Sequence, residues 1–163
     1  MEKSLNNTLY EQMIYALVLQ IHRDKKRSFE QRTAKINAIG QMLGKRVLFS
    51  LSPQLPYNSY SSLKRLLNLI SSEFWSYVFD HQTSDITSPN PSSISFKDNS
   101  FSLLKRISAG RSRTTEVDQF VELVKELVGS MLKGVLGHFG NDADIKLIYQ
   151  NDSLFVNINC YEA

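Results

Sequence analysis

The sequence predicts a single α+β domain, residues 1–163, with about four main helices packed on an antiparallel sheet made of two hairpins. Three observations support this prediction. The 163 residues have the size of one domain, and a hydrophobic content of 42% is typical of a globular chain. Four segments carry apolar residues at helical spacing. The short alternating segments come in neighbouring pairs rather than between helices, which favours antiparallel hairpins over a parallel sheet.

A basic cluster joins the first two predicted helices. The first helix covers residues 5–22, and residues 23–27 read Arg-Asp-Lys-Lys-Arg. The helix dipole favours cations at a helix C-terminus, so a solvent-exposed helix end is the preferred interpretation. Contact with acidic lipid headgroups is the alternative.

The second predicted helix begins at Ser28 and reaches about residue 51. Ser28 and Gln31 have the spacing of a capping box, in which each side chain bonds the other residue's backbone N–H. Gly40 and Gly44 lie inside this helix, where glycine costs up to about 1 kcal/mol relative to alanine. Glycines on one helix face let two backbones approach, so we predict that another helix packs closely against them.

The third predicted helix, residues 61–82, is the most hydrophobic segment of the chain. We predict that it is the central core helix and that Trp75 belongs to the core, because a tryptophan on such a face rarely serves as a ligand platform. Its apolar face consists of Leu63, Leu66, Leu67, Ile70, Phe74 and Val78.

A hairpin is predicted after this helix. Residues 83–93 are polar and contain two prolines, which predicts a mobile loop. Residues 92–96 and 101–107 read as two short strands joined by a tight turn. Residues 108–113 are predicted to form a second polar break.

The fourth predicted helix and a second hairpin complete the chain. Thr115 and Asp118 provide a start signal, and a broad apolar face continues until glycines at 137 and 140 end the helix. Residues 145–150 and 154–161 then alternate as strands around a turn at Asn151 and Asp152.

The residues that usually carry chemistry are isolated from one another. His22, His81 and His138 have no companion at metal-ligand spacing. His81 and His138 fall near predicted helix C-termini, where a histidine interacts favourably with the dipole. Cys160 lies on the apolar face of the last strand and reads as a small buried residue rather than a nucleophile.

Acidic pairs and glycines give no further site. Asp142 and Asp144 lack the additional oxygen ligands of a calcium loop and read as solvated turn residues. The glycines after residue 128 lie within and after a helix, not after a strand, so they make no dinucleotide-binding motif. We therefore predict that the chain is not an enzyme and binds no cofactor and no metal.

Charge, cysteine content and hydropathy indicate which partners and which cellular compartment suit the chain. The net charge of +3 is small, and Arg106, Arg111 and Arg113 have no interleaved aromatic residues to stack on bases, which argues against nucleic-acid binding. The single cysteine excludes an internal disulfide and fits a reducing compartment. No apolar run has the length of a signal peptide or a membrane span, so any membrane association is predicted to be peripheral.

Three motifs, in order, resemble a known family. Residues 66–82 resemble the helix of TRAPP small subunits that ends in a Phe/Leu-Trp-x-x-x-Phe-x-x-Gln pattern. Residues 96–104, Phe-Lys-Asp-Asn-Ser-Phe-Ser-Leu-Leu, with Ser-Ala-Gly at 108–110, are similar to its D-N-x-F-x-L-L hairpin. Residues 39–47 resemble its G-x-x-x-G helix. The resemblance covers roughly residues 9–161 and is greatest to the subunit-six group.

The resemblance implies both a fold and a function. The fold would have four main helices on a twisted antiparallel sheet. The chain would be a non-catalytic scaffold of the TRAPP vesicle-tethering complex, which acts as a Rab exchange factor in traffic from the endoplasmic reticulum to the Golgi. A paralogous subunit of the family carries palmitate on a cysteine shortly after the second helix. Residues 52–60 contain no cysteine, which excludes a covalent acyl anchor there.

The implied partners are paralogous TRAPP small subunits, in a heterodimer, and through the complex a Rab GTPase. The expected location is the cytoplasm, peripheral to Golgi and endoplasmic reticulum membranes, and whether the chain forms a homodimer when alone stays open. The apolar stripes of the first two helices are wide for one small core, which suggests a dimer face. Its candidate residues are Tyr10, Met13, Ile14, Leu17, Gly40, Leu43 and Val47. The alternative function is a domain that senses small apolar molecules, as related prokaryotic domains are thought to do.

Overall fold

The structure is a computed structural model that describes residues 2–108 and 114–161. Its helices are α1 (Glu2–Arg23), α2 (Phe29–Leu51), α3 (Leu63–Leu69), α4 (Trp75–Phe79), α5 (Ser102–Ser108) and α6 (Thr115–His138). Its strands are β1 (Ser84–Asn90), β2 (Ser93–Asp98), β3 (Asp142–Gln150) and β4 (Ser153–Tyr161). A 3₁₀ turn spans Ser52–Gln54, and a π-helical turn spans Ile70–Phe74. The predicted α+β class is confirmed.

The four strands form one antiparallel sheet in the order β1-β2-β4-β3. Two hairpins, β1–β2 and β3–β4, are therefore joined side by side through β2 and β4. The second hairpin turns at Asn151 and Asp152, whose φ angles of 52° and 59° are those of a turn that follows the twist of the strands. β3 begins at Asp142, so Asp142 and Asp144 are strand residues and not the turn residues that we expected.

The prediction for the first hairpin was wrong. Residues 84–90 form strand β1 rather than a loop, and residues 102–108 form helix α5 rather than a strand. β1 lies at a sheet edge with most of its side chains exposed, so it needs no apolar pattern, and an edge strand tolerates Pro89. Phe101 and Leu104 are three apart and both buried, a spacing that a helix satisfies. The predicted break at 108–113 lies outside the described residues except for Ser108, the last residue of α5.

The third predicted helix is interrupted rather than continuous. Ser62 caps α3 by accepting a hydrogen bond from the Arg65 N–H, and the π-helical turn then leads into α4. The helix ends at Asp80, which has a left-handed φ of 57°. The extra residue in the π-helical turn shifts the phase of the helix before α4. Phe74 and Trp75, on either side of this boundary, are both fully buried.

The glycine prediction on α2 is confirmed, and the helix that approaches is α6. A Cβ atom on Gly44 would overlap the backbone of Met131, and one on Gly40 would overlap the Ser130 side chain. The approach is reciprocal, because a Cβ on Gly134 of α6 would overlap the Gln41 backbone. The predicted capping box at Ser28 and Gln31 is also present, with both hydrogen bonds made.

The core lies between the helices and one face of the sheet. Trp75 is fully buried, as predicted, and its ring packs against Phe79, Phe96 and Phe101. On β4, Val156 and Ile158 point into this core and are fully buried. In the part of the chain that the structure describes, no helix is long and apolar enough to cross a membrane.

Candidate interaction surface

The seven residues of the predicted dimer face divide by burial. Ile14, Gly40 and Val47 are buried inside the chain, and Gly40 lies at the α2–α6 contact. Tyr10, Leu17 and Leu43 are half-buried, and Met13 is 44% exposed. The structure thus places three of the seven in the core of the chain itself, while the other four reach its surface on the same two helices.

Exposed apolar side chains concentrate on these two helices. Of the nine large hydrophobic side chains found exposed among the described residues, five belong to α1 or α2. They are Leu9, Met13, Tyr15, Met42 and Phe49. All but Met13 were absent from our sequence-based set. The spacing of these residues could have identified them. Leu9 and Met13 are four apart and Met42 and Phe49 are seven apart, so each pair lies on one helix face.

Two aromatic contacts fix α1 against α4 and α6. Tyr10 packs against Tyr77 of α4, with ring centroids 5.6 Å apart, and burial together with a hydrogen bond to Tyr10 raises the pKa of Tyr77. Tyr15 contacts Phe120 of α6 at 5.7 Å. These contacts hold α1 in place, so that Leu9 and Met13 are presented on a rigid element.

The basic turn between α1 and α2 is tied back to the domain. The Arg32 side chain is buried and donates a hydrogen bond to the His22 carbonyl (2.9 Å), which satisfies a free carbonyl at the end of α1. Burial, reinforced by the charge of Lys25, lowers the pKa of the His22 imidazole. Lys25 forms an ion pair with Glu116 (3.0 Å), and Arg27 pairs with Asp24 (3.0 Å). These pairs neutralise part of the cluster, which supports the interpretation as a solvent-exposed helix end.

Two of the motifs that carried the family resemblance meet in the core. The Trp75 indole donates a hydrogen bond to the Asp98 carboxylate (2.9 Å), which has no exposed surface. The backbone N–H of Ser100 donates to the other Asp98 oxygen (2.8 Å). The Nδ1 atom of His81 lies 3.5 Å from Asp98 Oδ2, so His81 faces this carboxylate rather than a helix end. This cluster is built to hold α4 against β2.

Cys160 and His138 lie apart from this cluster. Cys160 is buried, as predicted, and burial raises the pKa of its thiol, which disfavours the reactive thiolate. His138 lies in the last turn of α6, as predicted, and its ring contacts Phe49 and Phe139 at 5.0 Å each. Among the residues that the structure describes, no group of three or more His, Cys, Asp or Glu side chains could hold a metal ion.

A polar groove lies between α2, α6 and β3. Its volume is about 320 Å³, and residues of α6 around Gly129 form its base. Asn37 and Gln41 of α2 form one side, and Ile145 and Leu147 of β3 form the other. The mixture of amide, charged and apolar side chains does not suit a small apolar ligand.

Comparison with known proteins identifies the family. The model of the transport protein particle (TRAPP) component family matches residues 10–157. The chain therefore belongs to the TRAPP component family, as the three motifs indicated. Among curated proteins, none matches the sequence.

Solved structures agree on the fold. The chain is similar to a trafficking protein particle complex subunit 3 from Naegleria fowleri, crystallised covalently bound to palmitic acid. The TM-score is 0.74 at 13% identity, over 98% of this chain and 97% of that chain. It is also similar to an Fe(II) unliganded H-NOX protein mutant from K. algicida, with a TM-score of 0.54 at 14% identity, over 90% of this chain and 70% of that chain. At such identities the likeness concerns the fold alone.

Proposed function

We propose that the chain is a non-catalytic scaffold subunit of the TRAPP vesicle-tethering complex, which promotes nucleotide exchange on a Rab GTPase in traffic from the endoplasmic reticulum to the Golgi. The observation that carries this proposal is the exposed apolar surface of α1 and α2 in a chain of this family. Five large side chains on two adjacent elements remain in water, and burying them in a complex would be favourable.

The proposed contact surface combines residues from both helices. Leu9 is 63% exposed and Met13 is 44% exposed on α1, while Met42 is 50% and Phe49 is 56% exposed on α2. Tyr10 and Leu43 are next to Leu9 and Met42 in sequence, Leu17 follows Met13 by one helical turn, and all three are half-buried. Ile14 and Val47 of the sequence-based set belong to the core, and Gly40 lies at the α2–α6 contact, so these three would support the helices rather than touch the partner.

A paralogous TRAPP small subunit is the partner that we propose for this surface. Specific interfaces of this kind typically bury about 1,600 Å² in total, which is more than one helix face supplies, so both helices would contribute. Within the family, the subunit-six group is the proposed assignment. The proposed location is cytoplasmic, with membrane association only through the complex.

The test measures partner binding by light scattering after size exclusion. The chain is analysed alone and then mixed with the paralogous subunit, and we expect a one-to-one complex. Met13→Glu should weaken that complex by at least about tenfold, because it places a charge in a desolvated apolar contact. Ile86→Glu is the matched control, since Ile86 is 47% exposed on β1 at the far edge of the sheet.

The possible results test the α1–α2 contact surface and the scaffold role separately. Loss of the complex in Met13→Glu but not in Ile86→Glu, with unchanged circular dichroism in both, supports the proposed face. A complex that survives Met13→Glu contradicts the face. A wild-type chain that ignores every paralogous small subunit contradicts the scaffold role.

The alternative function, sensing of a small apolar molecule, is favoured by one observation. The fold is shared with an H-NOX protein, although at 14% identity. Native mass spectrometry of freshly purified protein distinguishes the two functions, because a retained lipid or hydrocarbon appears as added mass. A ligand-free chain that binds its paralogue would argue against sensing.

A further inference from the structure

Strand β3 is an edge of the sheet, and alternate residues of it direct their backbone groups away from β4. Because the Cys160 N–H donates to the Ser92 carbonyl (2.8 Å), even-numbered residues of β4 direct their backbone groups toward β2. Odd-numbered residues of β4 therefore face β3, and their partners there are even-numbered. It follows that Ala143, Ile145 and Leu147 direct their N–H and C=O groups away from the sheet. The described part of the chain places no hydrogen-bond partner on the outward groups of Ile145 and Leu147.

The side chains of this edge are segregated by face. Ile145 and Leu147 are half-buried on the inner face and border the polar groove beside α6. Asp144 and Lys146 are 57% and 68% exposed on the outer face, and their charged groups lie 4.0 Å apart. Asp142 and Ile148 lie on the same outer face and are also exposed. The inner face thus offers apolar contacts, and the middle of the outer face offers one negative and one positive charge.

We propose that β3 pairs with β3 of a second copy of this chain, antiparallel, about a two-fold axis at Ile145. In this register Ile145 lies opposite its own copy and exchanges both backbone hydrogen bonds with it. Ala143 lies opposite the copy's Leu147 on the inner face. Asp144 lies opposite the copy's Lys146 on the outer face, and this pair occurs twice by symmetry.

Every cross-strand pair from 143 to 147 is then matched in chemistry. Apolar residues face apolar residues, and opposite charges face each other in the closely spaced non-hydrogen-bonded pairs. Moving the axis to Asp144 or to Lys146 would place a charge opposite itself. Moving it to Ala143 would place Asp142 opposite Asp144 of the copy. Moving it to Leu147 would place Lys146 opposite Ile148 of the copy and lose both Asp144–Lys146 pairs. Of these registers, the one centred on Ile145 pairs opposite charges without placing like charges opposite each other.

Charges on an edge strand commonly protect a protein from edge-to-edge aggregation. The Asp142 carboxylate accepts the outward N–H of Ala143 (2.9 Å) and so removes one donor at each end of the proposed ladder. The ladder then rests on the two bonds between the Ile145 copies and on the bond from each Leu147 N–H to the copy's Ala143 carbonyl. Asp144 and Lys146 have a different effect. In the register centred on Ile145 they attract their counterparts in the copy, whereas in registers centred on Ala143, Asp144 or Lys146 like charges repel each other. The pairing uses β3, whereas the surface proposed for the paralogous subunit consists of Leu9, Met13, Met42 and Phe49, so the two contacts use different residues.

The experiment uses charge reversal and sedimentation velocity across a wide range of concentrations. Asp144→Lys places lysine opposite lysine twice, and Lys146→Asp places aspartate opposite aspartate twice. Each single variant should weaken self-association by about tenfold or more. An equimolar mixture of the two variants should form a heterodimer, because all four charges are then matched. The double variant Asp144→Lys/Lys146→Asp should self-associate like the wild type.

Thr87→Lys is the control, because it adds a charge to the exposed edge strand β1 at the opposite side of the sheet, and it should change nothing. Rescue in the mixture and in the double variant supports the pairing. A monomeric wild type at all concentrations overturns it. Self-association that persists in both single variants but is lost in Met13→Glu also overturns it, by assigning the contact to α1 and α2. None of these outcomes depends on whether the paralogous subunit binds.

Discussion

Replacing Gly44 with alanine should destabilise the protein, although alanine is the better helix former. The Cβ atom would overlap the carbonyl oxygen, carbonyl carbon and Cα of Met131, which are backbone atoms of α6 that no rotamer change can move. Overpacking of this kind costs about 1–3 kcal/mol, and the rigid backbone on both sides favours the upper end. The higher helix propensity of alanine offsets about 1 kcal/mol of this cost. We therefore expect a net loss of about 2 kcal/mol in the free energy of unfolding.

Gly137→Ala is the matched control for this prediction. Gly137 is exposed in the last turn of α6, and an added Cβ would meet nothing within 4 Å. Only the higher helix propensity of alanine then acts, so the free energy of unfolding of this variant should rise by up to about 1 kcal/mol. Urea denaturation measures both values, and thermal unfolding should show opposite shifts of about 2–4 °C per kcal/mol. Equal stability of Gly44→Ala and the wild type would refute the close α2–α6 packing.

Three further predictions concern buried groups. Trp75→Phe should lower the free energy of unfolding by about 2 kcal/mol in urea titration, because the buried Asp98 carboxylate loses its indole donor; an unchanged midpoint would contradict that hydrogen bond. The pKa of His22 is lowered from its ordinary value of 6.5, so the unfolded chain takes up the proton first as the pH falls. Stability should therefore decrease as the pH drops below 6.5 and level off below the folded pKa, with a weaker dependence in His22→Gln. Burial raises the pKa of the Cys160 thiol, so a thiol reagent at neutral pH should react far more slowly with the folded chain than with the chain in denaturant.

Local rules predicted the helices of this chain well. The capping box at Ser28 involves residues three apart, so its sequence spacing fixes the geometry. For α6 the predicted start signal was one residue late, because the N-cap is Thr114, which accepts a hydrogen bond from the Val117 N–H, and not Thr115. The requirement for glycine at positions 40 and 44 was also visible, since no local reason explains two glycines on one helix face. The identity of the approaching helix was not visible, because α6 is distant in sequence and its register against α2 depends on the whole core.

The first hairpin shows where local rules failed. Strand β1 is polar because it forms a sheet edge, and its existence depends on β2 being available to pair with it. The apolar residues of α5 are compatible with both strand and helix spacing over so short a segment. The choice was made by the neighbouring elements, since Phe101 packs on Trp75 and Phe79 and thereby turns the chain into the core.

The sequence by itself determined the α+β class, the start of α2, the turn of the second hairpin and the family, because all of these depend on spacing within short segments. Only the tertiary structure decided which apolar residues remain in water. Ile14 and Met13 are adjacent in the same helix, yet Ile14 is fully buried and Met13 is 44% exposed. Likewise, β3 became an edge only when β4 paired with β2 on its other side. Exposure is a property of what packs nearby, and the residues that pack nearby come from distant parts of the chain.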